Sequence, residues 1–482
     1  MNATVDRRRF LAGTALSPWL LSHSLNNAHA SETRRPNVIL IVADDLGYSE
    51  LGCYGQQKIE TPHLDRLARE GMRFTQFYSG QAVCAPSRCV LMSGQHTGHA
   101  FIRDNYEVRP EGQLPIPKSS YTMADMFKAQ GYATAAIGKW GLGPVHSCGD
   151  PNEQGFDLFF GYNCQRHAHN YYPRYLYRNQ ERIELPGNDR GLTGEQYAPD
   201  LMIEEAKHFI RENEHNPFFL YYPTPIPHLA LQVPEDSIEP YLGQWDDPPY
   251  DGTSGYLPHE NPRSAYGGMI TRMDQHIGEM LQTLDDCDLT DDTLVIFTSD
   301  NGATFLRGPD TRFFESNGPL RNWKGSLYEG GIRVPLIARW PGRIPAGTTS
   351  NHICAFWDLF ATLAEAAGGQ APEQHDGISI MPALQNEPDQ PQHDYLYWEF
   401  PSYRGQQAIR MGRWKGIRTN LFRQDADHSL QLYDLETDIG EQNNLAEHHP
   451  EIVQTMLETM RNARVPSDHF PFDFLDQEMS DA

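Results

Sequence analysis

The chain is short of basic residues: 39 Lys and Arg stand against 64 Asp and Glu in 482 residues, a formal net charge of −25. Such a chain is repelled by nucleic acid and by anionic membrane, which argues against both as partners. A substrate that is itself an anion would need a local cluster of cations working against that global field. Long hydrophobic runs are missing too. The apolar stretch near the N-terminus is broken by Ser17, Pro18 and His23, too short to span a bilayer, so no stable membrane anchor is expected. Cysteine is scarce, seven in all, with no C-x-x-C pair and no Cys/His cluster at zinc spacing, which excludes a zinc knuckle. The number is odd, so full pairing would leave one thiol over. Internal repeats are absent.

The N-terminus reads as an address. DRRRFLAGTALSPWLL places Arg7 and Arg8 before Phe10 and Leu11, and NNAHA ends at Ala30. Consecutive arginines, a short apolar region and an A-x-A end resemble a twin-arginine (Tat) export signal over residues 1–30. That implies passage through the Tat export machinery and a mature protein from about Ser31, periplasmic or secreted, in a bacterium.

Apolar residues make up 39% and aromatics 11%, a composition that folds, and the length exceeds what one core usually organises. NVILIVADD is unbroken apolar from Val38 to Ala43, the pattern of a strand buried on both faces, and YATAAIGKWG, PFFLYYPTP, TLVIFTSDNG and VPLIARWPG repeat it. Helical patterns lie between: TPHLDRLAREG, with Thr61 as N-cap and Gly71 as stop, and SAYGGMITRMDQHIGEMLQTLDD, with Met269, Ile270, Met273, Ile277, Met280, Leu281 and Leu284 on one stripe. This predicts an α/β fold, a large central mainly parallel (mixed) sheet flanked by helices. A linker at residues 385–394 separates a large domain, 31–384, from a smaller C-terminal α+β subdomain, 385–482, built on a short antiparallel sheet and closed by a helix. The Pro/Gly/Asp-rich stretch 233–262 is long enough to serve as a lid or substrate wall.

Polar residues follow the apolar runs. Asp44 and Asp45 follow the first, Lys139 follows ATAAIG, His228 comes shortly after PFFLYYPT, and Asp300 and Asn301 end TLVIFTS. In open α/β sheets ligands bind beyond the carboxyl ends of the strands, so these groups converge. Each has a bland alternative, a helix cap for Asp-Asp or a turn for Asp-Asn-Gly; together they are hard oxygen donors suited to Ca²⁺ or Mg²⁺ rather than zinc. Cys84, in QAVCAPSRCVLMSG, opens a helix in which Pro86 takes the first position, where an anion is favoured and Arg88 is one turn away. A buried packing cysteine and a reactive thiol both remain open there.

CAPSR resembles the Cys-x-Pro-Ser-Arg signature of the type I sulfatases of the alkaline phosphatase-like superfamily. NVILIVADDLGYSELGCYG, GYATAAIGKWGLG, TSDNGA, GSLYEGGIRVPLIARWPG and LQLYDLETDIGEQNNLA are similar to further blocks of that family, in order. The resemblance implies sulfate ester hydrolysis in which Cys84 is oxidised to Cα-formylglycine by a separate maturation enzyme, its hydrate being both nucleophile and metal ligand. It implies one Ca²⁺ on Asp44, Asp45, Cys84, Asp300 and Asn301. Lys139, Lys324 and Arg88 would hold the sulfate and brace the hydrate, and His228 would protonate the leaving group. The chain departs from the family at Gly141, in GKWGLG, where many relatives carry a histidine assisting the final elimination; His146, His167 and His169 are the alternatives for that base. CQRHAHNYYPRYLYRN offers His167, His169, Tyr171 and Tyr172 as candidate contacts to a sulfated carbohydrate, with simple aryl sulfates as surrogates. Two other readings stay open: a phosphodiester or phosphonate monoester hydrolase, and a non-catalytic glycan-binding relative.

Overall fold

A computed structural model of the chain describes residues 35–109, 112–253, 255–304 and 310–480, which belong to one compact unit beginning at Arg35. The expected export signal lies outside them. Strands β1 (Asn37–Ala43), β2 (Met72–Tyr78), β3 (Ala133–Lys139), β4 (Leu158–Tyr162), β5 (Tyr175–Arg178), β6 (Glu181–Glu184), β7 (Phe218–Tyr222), β8 (Thr293–Ser299), β9 (Arg333–Arg339), β10 (Thr348–Ser350) and β11 (Cys354–Ala355) make one sheet, ordered β10-β2-β9-β8-β1-β7-β3-β4-β5-β6, with β11 also on β2. Its centre, β8-β1-β7-β3-β4, is parallel. The sheet is mixed because β9 runs antiparallel between β2 and β8, and β5 and β6 fold back antiparallel at the far edge.

The unbroken apolar run of β1 has a direct cause. Val38, Leu40 and Val42 enter the core on one face, while Ile39, Ile41 and Ala43 enter the core on the other. Helices Cys84–Ser93, Met123–Ala129 and Phe356–Ala367 cover the first face; Pro62–Glu70, Ala198–Glu212 and Pro262–Asp286 cover the second. Each fully buried Ile or Leu contributes roughly 1.5–3 kcal/mol by leaving water. The seven stripe residues read from Met269 to Leu284 are all buried in the second core. No helix among the described residues is long and apolar enough to cross a membrane.

Strands β12 (Leu396–Phe400), β13 (Gln406–Met411), β14 (Trp414–Thr419) and β15 (Gln431–Asp434) form a separate antiparallel sheet, followed by helices Pro450–Asn462 and Asp473–Ser480. It is locked to the main body by buried polar contacts. Gln81 Nε2 donates to Glu399 O at 2.7 Å, Trp398 Nε1 donates to Ser79 O at 3.1 Å, and Lys415 Nζ lies 2.8 Å from Glu329 Oε1. Two of these bonds clamp residues 79–81, the segment leading into Cys84.

Candidate active site

The parallel register sets the site. Ala43 of β1 pairs with Ser299 of β8, so the residues that follow, Asp44 and Asp300, emerge side by side; Asp300 N donates to Ala43 O at 3.0 Å. Asp45 has φ +65, a left-handed conformation that Asp tolerates better than most residues, and its N–H donates to Asp300 Oδ1 at 3.1 Å. Lys139 is the last residue of β3, and its Nζ donates to Asp44 Oδ2 at 2.5 Å. His228 follows β7, with Nδ1 donating to Leu229 O at 2.5 Å and Nε2 at 3.6 Å from Asp45 Oδ2.

The helix carrying the cysteine begins at Cys84 itself, with Val83 as N-cap, so Pro86 is its third residue rather than its first. The first turn has no internal partner for its N–H groups, so a proline is tolerated there equally well. Val83 supplies no side-chain cap; Asn105 Oδ1 accepts from Ala85 N at 3.0 Å instead. Gly94, at φ +69, ends the helix, its N–H donating to Val90 O at 2.9 Å. The ten-residue helix is buried from Cys84 to Met92 and presents its positive end to the site.

Around Cys84 the charges interlock. Its Sγ lies 3.3 Å from Asp44 Oδ1, 4.0 Å from Asp45 Oδ1 and 3.5 Å from Lys324 Nζ. Arg88 Nη2 donates to Asp300 Oδ2 at 2.7 Å and its Nη1 to Lys139 O at 2.5 Å, while Lys324 Nζ sits 2.7 Å from Asp45 Oδ1. Burial first, and the neighbouring Asp44 second, push the Cys84 thiol above its ordinary range. Burial would raise Asp44 as well, but Lys139, His228, Arg88 and Lys324 together hold it well below the usual carboxylate range. Asp300 is raised to about 6, by burial first and by Asp44 second. Burial and then Lys324 press His228 well below its ordinary value, and burial with His228 does the same to His169.

The donor set fits a hard divalent cation. Asp44, Asp45 and Asp300 are essentially fully buried together, and Asn301 Oδ1 is buried without a partner while its Nδ2 donates to Asp45 Oδ1 at 2.8 Å. An orphaned amide oxygen beside three carboxylates is the arrangement that an oxygen-seeking ion would complete. Asp44, Asp45, Cys84 and His228 each place one ligand atom within 4.8 Å of the others.

A cavity of about 560 Å³ opens on this cluster, bordered by Cys84, Lys324, His228, His169, Tyr256 and Tyr403 among others. Of the four expected substrate contacts only His169 reaches it, its ring stacked 4.5 Å from that of His228. Tyr171 is buried beneath His228, its hydroxyl within 2.6 Å of His228 O, and Tyr172 packs against Tyr197. His167 lies between Tyr162 and Tyr175. His146 does not border the cavity, and its backbone N–H donates to Asp150 Oδ2 at 2.8 Å. Several wall residues escaped the sequence reading, among them Tyr256, Tyr403, Asn105, Gln113 and Gln165. Tyr256 sits in the long 233–262 stretch, whose length was the signal; Tyr403 and Asn105 carried none.

A family model for sulfatases matches residues 36–369, and one for the C-terminal part of N-sulphoglucosamine sulphohydrolase matches residues 322–465. The chain belongs to the sulfatase family. It is 34% identical over 368 residues to human N-acetylgalactosamine-6-sulfatase, a match that covers 72% of this chain and 66% of the human protein, slightly under two thirds of that relative's length. It is 30% identical over 509 residues to N-acetylgalactosamine-6-O-sulfatase of Bacteroides thetaiotaomicron, covering 90% and 94% of the two chains. The crystal structure of Ps i-CgsB in complex with k-i-k-neocarrahexaose superposes with a TM-score of 0.76 at 28% identity, covering 89% of this chain and 92% of that one. The α/β fold is therefore shared with that structure over most of both chains.

Proposed function

We propose that the chain hydrolyses sulfate esters carried on saccharides. The observation that carries this is the cation-braced carboxylate cluster around Cys84, at a helix N-terminus, facing a cavity wide enough for a sugar. Asp44, Asp45, Asp300 and Asn301 would hold one Ca²⁺, and Cys84 converted to formylglycine would stand beside it; together they supply a Lewis acid and an aldehyde hydrate as nucleophile.

The chain's own groups do the rest. Lys324 and Lys139 offset the charge that builds on the sulfate oxygens, and Arg88, bonded to Asp300 and to the Lys139 backbone, fixes the helix end against the strand ends. His228 keeps Nδ1–H on Leu229 O, so Nε2 is the atom that faces the cavity and carries a proton to the departing oxygen. Burial first and Lys324 second depress His228, and an anionic ester beside Lys324 would offset the second of these. The names of both N-acetylgalactosamine-6-sulfatases favour a 6-sulfated amino sugar as the first substrate to try. We place the reaction in residues 31–384, with 385–482 as buttress, in an enzyme exported through the twin-arginine route and matured by a separate formylglycine-forming enzyme.

The test is direct. Protein co-expressed with a maturation enzyme is assayed on 4-nitrophenyl sulfate, on an aryl phosphodiester and on sulfated monosaccharides, with peptide mass spectrometry across Cys84. Sulfate turnover with an aldehyde at position 84 supports the reading; faster phosphodiester cleavage, or an intact thiol with no turnover, overturns it.

A further inference from the structure

Gln165 stands out among the cavity's residues. It lines the same cavity as Cys84, His169 and His228, it is 6% exposed, and both its amide atoms, Nε2 and Oε1, are buried without a hydrogen-bond partner. Its position follows from Gly141. That residue has φ +81, and a Cβ built on it would fall 2.2 Å from Gln165 Nε2, so the carboxamide takes the space a side chain at 141 would use. Its backbone is fixed as well, with Gln165 N donating to Gln113 Oε1 at 3.4 Å and Gln165 O accepting from Ala168 N at 3.1 Å. A buried carboxamide with nothing bonded to either end is uncommon, and at the rim of a ligand cavity it points to a partner that arrives with the ligand.

The chemistry of that partner can be narrowed. A sulfate oxygen only accepts, and would leave Oε1 unpartnered; a sugar hydroxyl both donates and accepts, and satisfies Nε2 and Oε1 together. The lining also carries the carboxamides Asn105 and Gln113, and Arg166, next to Gln165 in the chain, has its Nη1 3.6 Å from Glu107 Oε2; Lys324 is the cation beside Cys84. We propose that Gln165 is a specificity-determining residue that binds a neutral hydroxyl of the sugar bearing the ester. This rests on the sulfate-ester reading above.

The experiment compares two substrates in one protein. Gln165→Met keeps the volume and removes donor and acceptor. The readout is the ratio of kcat/KM on the best cleaved sulfated monosaccharide (the 6-sulfates of N-acetylgalactosamine, galactose and N-acetylglucosamine) to kcat/KM on 4-nitrophenyl sulfate, whose leaving group has no second hydroxyl. That ratio is expected to fall at least fivefold. A smaller fall overturns the proposal, because a residue that merely packs would alter both substrates alike. If Gln165→Met does not fold, Gln165→Glu keeps the shape, loses the donor and is held to the same criterion. Wild type that cleaves the aryl ester but none of the sugars overturns this inference and the saccharide part of the proposed function, leaving sulfate ester hydrolysis standing; wild type inert on both overturns the sulfate-ester reading itself.

Discussion

Two buried charge clusters can be compared in this molecule. One gathers Asp44, Asp45, Asp300, Arg88, Lys139 and Lys324 at the strand ends; the other gathers Glu329, Glu441, Lys415, Arg333 and Arg410 between the two sheets. Titration alone does not tell them apart. Burial followed by Asp44 raises Asp300 to about 6, and burial raises Glu441 to about 7 even though Lys415 pulls it down. Surroundings do. The second cluster is closed: Lys415 bridges Glu329 and Glu441, Tyr78 donates to Glu329, and none of its members borders the 560 Å³ cavity. The first opens on that cavity, keeps an orphaned amide oxygen on Asn301 and holds Asp45 at φ +65. Perturbed carboxylates mark a functional site only where something can reach them.

The sharpest break of this comparison is Cys84→Ala. We expect loss of sulfate ester turnover by about 10⁴-fold or more, since the nucleophile is gone, with the melting temperature little changed. Substantial residual activity would place the reaction elsewhere. The mirror experiment is Lys415→Met in the closed cluster. It takes from Glu441 its ion-pair partner and leaves Glu329 to Arg333 and Tyr78, and should cost about 3–5 kcal/mol of stability, read by denaturant unfolding, while kcat of the folded fraction is kept. Equal damage to kcat would mean that the clusters are not separate.

His228→Ala refines the open cluster. A proton donor matters most when the leaving group is poor, so the loss should be about 10²–10³-fold on a sugar sulfate and much less on 4-nitrophenyl sulfate. Equal losses on the two would remove the proton-donor role. The smallest effect concerns Glu50, a buried carboxylate outside both clusters, bonded by Tyr266 and Gly47 and raised by burial from 4.5 to about 7. A raised folded-state value means that the native chain holds the proton longer than the unfolded one. Stability from this group is therefore full below about pH 4.5 and lost as the pH climbs through 7, an effect of order 1–3 kcal/mol. Glu50→Gln should flatten that part of the stability-versus-pH curve; an unchanged slope would assign it to other carboxylates.

Much of this was legible in advance for local reasons. A strand buried on both faces must be apolar at every position, so β1, β3, β7, β8 and β9 were readable from their runs, and residues just past them could be named as site candidates. The small antiparallel sheet was readable from its short alternating segments. The errors were also local in kind. Tyr171 and Tyr172 share a motif with His169, but neighbours in sequence face different ways, and only His169 meets the cavity. Pro86 was placed two residues early because a proline is equally at home anywhere in the first helical turn.

The sequence by itself determined the α/β class, the apolar runs of the central strands, and which short polar segments follow them at the strand ends, because periodicity and strand-end placement are properties of contiguous residues. Only the tertiary structure decided that Lys324 closes on Asp45, that Tyr403 of the second sheet region reaches the cavity, and that Gln165 occupies the space left open by Gly141. Those pairings join residues far apart in the chain, or depend on one backbone dihedral angle, and no local pattern records either.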